Sequence, residues 1–153
     1  MPTKRLKDCL DREGVRYESI RHDPAYTMSE IAHAAHLSGK MVAKTTVIRV
    51  DGKTALAVLP SPDHVDLEQL RDLTGAAAIE LATEREFAAL FPGCEPGAMP
   101  PFGNLYGMDV FVSPRLMEQN EIAFNAGTHI ELIKLAYRDF ERLVHPKVLD
   151  FVS

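Results

Sequence analysis

The sequence predicts one mixed α+β domain built around a single curved sheet, and three observations carry that prediction. Apolar residues recur at helical spacing in some short segments and at strand spacing in others, and the two kinds interleave without a strict βαβ rhythm. Asp51-Gly52 joins two β-rich runs, the clearest hairpin signal in the chain. No repeat, low-complexity tract or linker divides the 153 residues, so residues 1–153 are read as one domain.

The elements follow in order. Leu6, Cys9 and Leu10 share one face of a charged segment that stops at Gly14, a helix with a glycine stop signal. Val15 to Ile20 alternates as a half-buried strand does. After a turn at His22-Asp23-Pro24, Thr27 and Glu30 form a capping box for a helix carrying Ile31, Ala34, Ala35 and Leu37, with its end near Gly39. The hairpin runs are Val42 to Val50 and Thr54 to Leu59. Asp66 and Gln69 cap a helix that ends at Gly75, Ala77 to Leu81 reads as a strand, and Thr83 with Glu86 caps a helix through Leu90. Residues 91–107 then hold four prolines and four glycines with no amphipathic period. A structured loop that long inside a compact domain is usually functional. Strands are expected near Met108–Val112, Ile122–Asn125 and Ile130–Leu135, and a last helix over Arg138 to Val144.

Composition removes several function classes. With 46% apolar and 25% charged residues, this is the balance of an ordinary globular protein, large enough to hold together without metal or disulfide. Two cysteines, Cys9 and Cys94, make neither a disulfide framework nor a zinc knuckle and fit a reduced, cytoplasmic setting. No apolar run approaches the roughly 20 residues that span a bilayer, and the polar N-terminus leads into no signal-like segment. A net charge of −5 argues against a protein that coats DNA or RNA. The charge is uneven: residues 1–53 carry 10 Lys and Arg against 7 Asp and Glu, whereas residues 54–153 carry 7 against 15. That asymmetry suits a small basic face touching one end of a polyanion.

Three segments could hold chemistry. Lys44 heads an otherwise apolar or β-branched strand, as a solvent-facing edge lysine or as a cation beside a concave surface that holds a phosphate or an ester carbonyl. Gly97-Ala-Met-Pro-Pro-Phe-Gly103 is either a rigid surface loop or a cradle that aims backbone N–H groups at a developing oxyanion. Phe124-Asn-Ala-Gly-Thr-His129 places Gly127, Thr128 and His129 at a strand-to-strand junction, either as a polar Thr-His pair facing a pocket or with His129 as a satisfied structural residue. There is no Walker loop, nucleophile elbow or H-E-x-x-H motif, and His33 and His36, three apart, read as surface histidines rather than as a metal site.

In order and spacing, Gly14-Val-Arg-Tyr17, His22-Asp-Pro-Ala-Tyr-Thr-Met28, Lys44-Thr45 with its hairpin, Leu81-Ala-Thr-Glu-Arg-Glu-Phe87 and Gly97-Ala-Met-Pro-Pro-Phe-Gly103 resemble the YbaK/prolyl-tRNA synthetase-associated family of trans-editing aminoacyl-tRNA deacylases. The resemblance runs from about Leu6 to Val144, and Gly97 and Pro101 stand at the ends of the family's G-x-x-x-P loop. It implies a mostly antiparallel, barrel-like mixed α/β fold with flanking helices. The implied activity is hydrolysis of the ester joining a wrong small amino acid (alanine, cysteine, serine or threonine) to the 3′ end of a tRNA, often tRNA for proline. On that resemblance Lys44 is the essential lysine, and the backbone of Gly97, Ala98 and Met99 stabilises the oxyanion. Thr45, Pro100, Pro101, Gly103, Gly127 and His129 shape the substrate pocket. No metal or cofactor is implied; the partners are the tRNA acceptor end, with Lys4, Arg5, Lys7, Arg21, Lys40 and Arg49 as its candidate grip, and an aminoacyl-tRNA synthetase as a second candidate.

The alanine-specific members commonly carry Asn directly after the lysine, and Thr45 in that place counts against an alanyl substrate. The Asn125-Ala-Gly-Thr-His129 run also departs from the serine-bearing segment of the cysteine-specific members. The competing reading is a non-catalytic module of the same fold that binds a tRNA end or a synthetase. The catalytic reading requires the Lys44 ammonium and the Gly97 loop to converge on one shared hollow.

Overall fold

Leu6, Cys9 and Leu10 are buried along one side of helix α1 (Lys4–Arg12) in a computed structural model that describes residues 3–23 and 28–153. Thr3 caps the helix by accepting the Leu6 N–H, and Gly14 closes it at φ +66°. Because the Val15 N–H still binds the Leu10 carbonyl at 3.0 Å, strand β1 (Tyr17–Arg21) begins two residues later than its alternation predicts.

Helix α2 (Met28–Ala34) is shorter than expected. His36 takes the left-handed conformation at φ +56°, and the Leu37 N–H returns to the Ala32 carbonyl at 2.9 Å, which closes the helix before Gly39. The predicted Thr27 cap and the Pro24 end of the turn lie outside the described residues. The hairpin forms as predicted, β2 (Ala43–Val50) against β3 (Lys53–Pro60), with Asp51 and Gly52 both at positive φ.

Asp66 accepts the Gln69 N–H and opens α3 (Leu67–Thr74), which Gly75 ends at φ +73°. The Gln69 side chain binds the Asp150 carbonyl instead of turning back to the cap, so it fastens the C-terminal tail. After β4 (Ile79–Leu81), Thr83 and Glu86 make both arms of a capping box for α4 (Glu84–Phe87), and a 3₁₀ turn continues to Leu90.

Beyond the long loop come β5 (Asp109–Val112), α5 (Pro114–Met117), β6 (Glu121–Asn125), β7 (Glu131–Ala136), α6 (Tyr137–Val144) and β8 (Lys147–Val148). Helix α5 and strand β8 were not anticipated. One is a single turn and the other two residues long, too short for periodicity to show, although Ser113-Pro114 carries a helix start signal.

The strands make two sheets where the sequence suggested one. β1, β7 and β6 pair antiparallel, and the second sheet runs β4-β2-β3-β5-β8. In the second sheet β3/β5 and β5/β8 are parallel, because crossovers through several other elements and not tight turns connect each pair. The sheets touch at a bridge between Val42 and Ala123. No closed barrel forms among the described strands.

Alternation divides β2 and β3 between two cores. Ala43, Val47, Leu56 and Val58 face the main cluster with Met99, Phe102, Phe124 and Phe140, while Ile48, Ala55, Ala57 and Leu59 face a second cluster with Leu70 and Phe151. Phe102 is fully buried, its ring 5.5 Å from Phe124 and 5.7 Å from Phe140. Such aromatic pairs add about 0.5–1.5 kcal/mol each beyond the area they bury. None of the described helices is long and apolar enough to cross a membrane.

Candidate active site

The first half of β2 has a free edge. Lys44, Thr45 and Thr46 pair with Leu59, Val58 and Ala57 of β3, whereas β4 joins only at Ile48 to Val50. The Ser61 N–H binds the Val42 carbonyl, so even-numbered residues bond toward β3; the Ala82 N–H binds the Val47 carbonyl, so odd-numbered ones bond away from it. The Thr45 peptide groups therefore point into the gap between β6 and β4, where no described strand meets them.

Side chains alternate in the other sense. Thr45, opposite Val58, lies on the face of the main cluster that holds Met99. Lys44, opposite Leu59, rises from the other face. The half-buried Lys44 Nζ donates to the Asp63 main-chain carbonyl. Burial pushes the Lys44 ammonium below the ordinary lysine range, and the nearby Asp63 charge opposes that push.

The loop assembles around Glu95. Its N–H binds the Gly127 carbonyl at 2.7 Å, its carbonyl accepts the Ala98 N–H at 3.0 Å, and its carboxylate accepts the His129 N–H at 2.7 Å. The Gly127 N–H binds the Ala98 carbonyl at 2.9 Å, and the His129 Nε2–H donates to the Pro96 carbonyl at 2.8 Å. Gly97 is exposed at φ +83°, and a Cβ there would stand 3.6 Å from His129 Cε1. Ala98, Met99, Pro100 and Pro101 are buried beneath it. The Gly97 N–H donates to Met99 Sδ at 3.2 Å. A thioether is a weak acceptor, readily exchanged for an anionic oxygen.

Gly97, Ala98, Gly127 and His129 thus come together in one knot, with Met99 bonded to Gly97 from below. Lys44 does not join it: its side chain rises from the face of β2 opposite the one that packs on Met99, and its ammonium binds the Asp63 carbonyl. Gly103 stands apart as well. It opens a 3₁₀ turn against β5, where a Cβ would lie 2.6 Å from Val110 Cγ2, so close packing explains its lack of a side chain. Of the expected grip, Lys7 is paired with Asp11 at 2.9 Å and Arg49 with Glu86 at 2.6 Å, while Arg5 lies over the Tyr106 ring.

Glu95, Asp63 and Arg115 were missed by sequence reasoning, because each acts on a partner at least 19 positions away. Glu95→Ala should loosen the 127–129 segment. We expect a loss of about 1–2 kcal/mol in stability, read by denaturant unfolding, since a charged hydrogen bond to a main-chain amide is removed.

Chemically, the knot offers the exchangeable Gly97 N–H, since the Ala98 N–H is committed to the Glu95 carbonyl, and the Lys44 cation stands apart from it. Cys94 in the loop is a poor nucleophile, because burial pushes its thiol up and holds it protonated. Among the described residues no group of three or more His, Cys, Asp or Glu could hold a metal ion. Oriented amides suit a reaction whose transition state gathers charge on a carbonyl oxygen.

Comparison with known proteins gives four consistent findings. The family model described as an aminoacyl-tRNA editing domain matches residues 22–143. The multifunctional Ser/Thr-tRNA deacylase ProXp-y of Escherichia coli (strain K12) is 29% identical over 153 residues, covering 97% of this chain and 91% of that protein. The prolyl-tRNA editing protein ProX of Acetoanaerobium sticklandii is 26% identical over 141 residues, covering 88% and 85%. In fold, the chain matches a candidate trans-editing enzyme for prolyl tRNA synthetase with a TM-score of 0.82 at 21% identity, over 98% of this chain and 96% of that one.

Proposed function

The chain belongs to the aminoacyl-tRNA editing family, and from that premise we propose that it is a trans-editing deacylase that hydrolyses the ester between a mischarged small amino acid and the 3′ end of a tRNA. The observation that carries this reading is the knot of Gly97, Ala98, Gly127 and His129, whose Met99 packs in the main cluster on the Thr45 face of β2. The names of the two relatives, a Ser/Thr-tRNA deacylase and a prolyl-tRNA editing protein, favour seryl and threonyl esters. Thr45 in place of asparagine agrees with a substrate other than alanyl.

The chemistry follows from the groups present. The terminal nucleotide lies across the free edge of β2, with its ester against the loop and its phosphate toward Lys44 Nζ. Water attacks the carbonyl carbon, the carbonyl oxygen takes the negative charge, and the Gly97 N–H leaves Met99 Sδ to bind it. Collapse breaks the bond to the ribose oxygen, which leaves with the proton that water released. The vicinal 2′-hydroxyl of the substrate can relay that proton. An ester of this kind is activated, so a site built from positioning and oriented amides suffices. Pro100 and Pro101 stiffen the cradle, and His129, its Nε2–H already committed to Pro96, serves as a pocket wall.

The test is a panel of Ala-, Ser-, Thr- and Cys-charged tRNAs incubated with the purified protein. Release of serine or threonine above the uncatalysed rate is expected. If a control deacylase clears all four and this protein clears none, the reading fails. Tight binding without turnover would establish the non-catalytic module, a reading favoured by one observation, the Lys44 ammonium resting on Asp63.

A further inference from the structure

We infer that Asp63 and Arg115 are positioning residues for Lys44: Arg115 fixes the Asp63 carboxylate, and Asp63 holds the Lys44 ammonium through its main-chain carbonyl together with that fixed carboxylate. The inference rests on the deacylase reading only for its effect on turnover; the contacts stand without it.

The contacts form a chain. The Arg115 guanidinium donates to Asp63 Oδ1 at 3.1 Å, and Lys44 Nζ donates to the Asp63 carbonyl. The turn that carries Asp63 is stiff, with Pro60 and Pro62 on either side of Ser61 and the Asp63 N–H bound to the Pro60 carbonyl at 3.0 Å. Ser61 fastens it further through its hydroxyl on the Gly39 carbonyl at 2.9 Å and its N–H on Val42 at 2.8 Å. Arg115 is set by Ser113 and Pro114 at the start of α5.

Burial gives the arrangement its strength. The Asp63 side chain is only 14% exposed, and its Oδ2 is buried with no hydrogen-bond donor among the described residues. A carboxylate withdrawn from water acts on nearby charge far more strongly than an exposed one. Lys44 is the half-buried cation beside it, and Asp63 works against the desolvation that favours the neutral amine. The other charged groups at this place are Arg115, Lys40 and Glu118, which line the same groove of about 290 Å³ with Asp63. Arg115 therefore orients Asp63 while opposing Lys44 as a like charge. This predicts opposite effects from removing the two residues.

The test measures Lys44 itself. Labelling of Lys44 by an amine-reactive ester, read by peptide mass spectrometry from pH 6 to 10, reports its protonation with no substrate present. Asp63→Asn should move the labelling midpoint down by about one pH unit, the shift typical of losing a close opposite charge. Arg115→Ala should leave the midpoint in place or move it up. In the deacylation assay Asp63→Asn should bring the alkaline fall in turnover to lower pH by the same shift, and Arg115→Ala should lower turnover several-fold at every pH. Thermal melts identify a variant that fails to fold, in which case Asp63→Glu, which keeps the charge, serves as the rescue and should restore the wild-type midpoint. Identical labelling curves in wild type and Asp63→Asn overturn the inference even if deacylation is robust. Shifted curves in a protein that deacylates nothing uphold the positioning and sink the proposed function instead.

Discussion

Lys44→Ala should lower deacylation of a mischarged tRNA by about 100-fold or more while the protein remains folded. The size follows from losing the charge that positions the terminal phosphate, since a small misplacement of the ester against the loop costs on the order of 10² in rate. The fold should survive because Lys44 lies at the start of β2, opposite Leu59, and makes a single side-chain bond, to the Asp63 carbonyl. Its removal also relieves a half-buried cation. Single-turnover hydrolysis measured beside a thermal melt separates the two effects. Turnover within about threefold of wild type would remove Lys44 from the machinery and leave catalysis to the loop. Lys44→Arg should not restore the rate, since a planar guanidinium on a longer stem cannot reproduce a compact ammonium at the same point.

Phe102→Ala should cost about 3–5 kcal/mol of stability, the usual loss for truncating a fully buried phenylalanine. Phe102 is 0% exposed and packs on both Phe124 of β6 and Phe140 of α6. It directly follows Pro100-Pro101, so its ring anchors the far end of the cradle while the Glu95 bonds anchor the near end. Urea unfolding should show a lower midpoint with little change in slope. At a temperature where the variant is still folded, turnover should fall as well, because an unanchored loop no longer holds its amides in register. Phe102→Leu should keep most of the stability and so show whether loop placement or core volume governs activity. A loss below about 1 kcal/mol for the alanine variant would mean that the loop is not fastened through this ring.

Local chemistry was legible in the sequence. The Asp51-Gly52 hairpin, the Thr83–Glu86 capping box and the Gly75 helix stop each depend on residues within a few positions of one another, and each formed. Ends moved where a longer reach intervened, as at Val15, which stays bonded to α1, and at His36, which takes the role expected of Gly39. Sheet assembly was less legible: the parallel pairing of β3 with β5 is set by the crossover between them, and nothing in the alternation of either strand encodes it. At the candidate site, glycines and prolines announced the loop, yet the residue that knots it, Glu95, looks like any surface acid. Lys44 and Thr45 were adjacent candidates, and only strand alternation, read with the two cores, sends them to opposite faces. Gly103 was the reverse case, a glycine in a suggestive motif whose absent side chain makes room for Val110.

The unpaired stretch at Thr45 has a cost as well as a use. Peptide groups without a strand partner, where the proposed function lays a nucleic-acid end, will equally accept an extended polypeptide, and β-rich neighbours of the Val42–Val50 kind are what such self-association selects. The gap is short and has lysine at its head, two features that discourage stacking of one copy on another. An occupying tRNA end would then shield the molecule against fibrillation, tying colloidal behaviour to ligand supply.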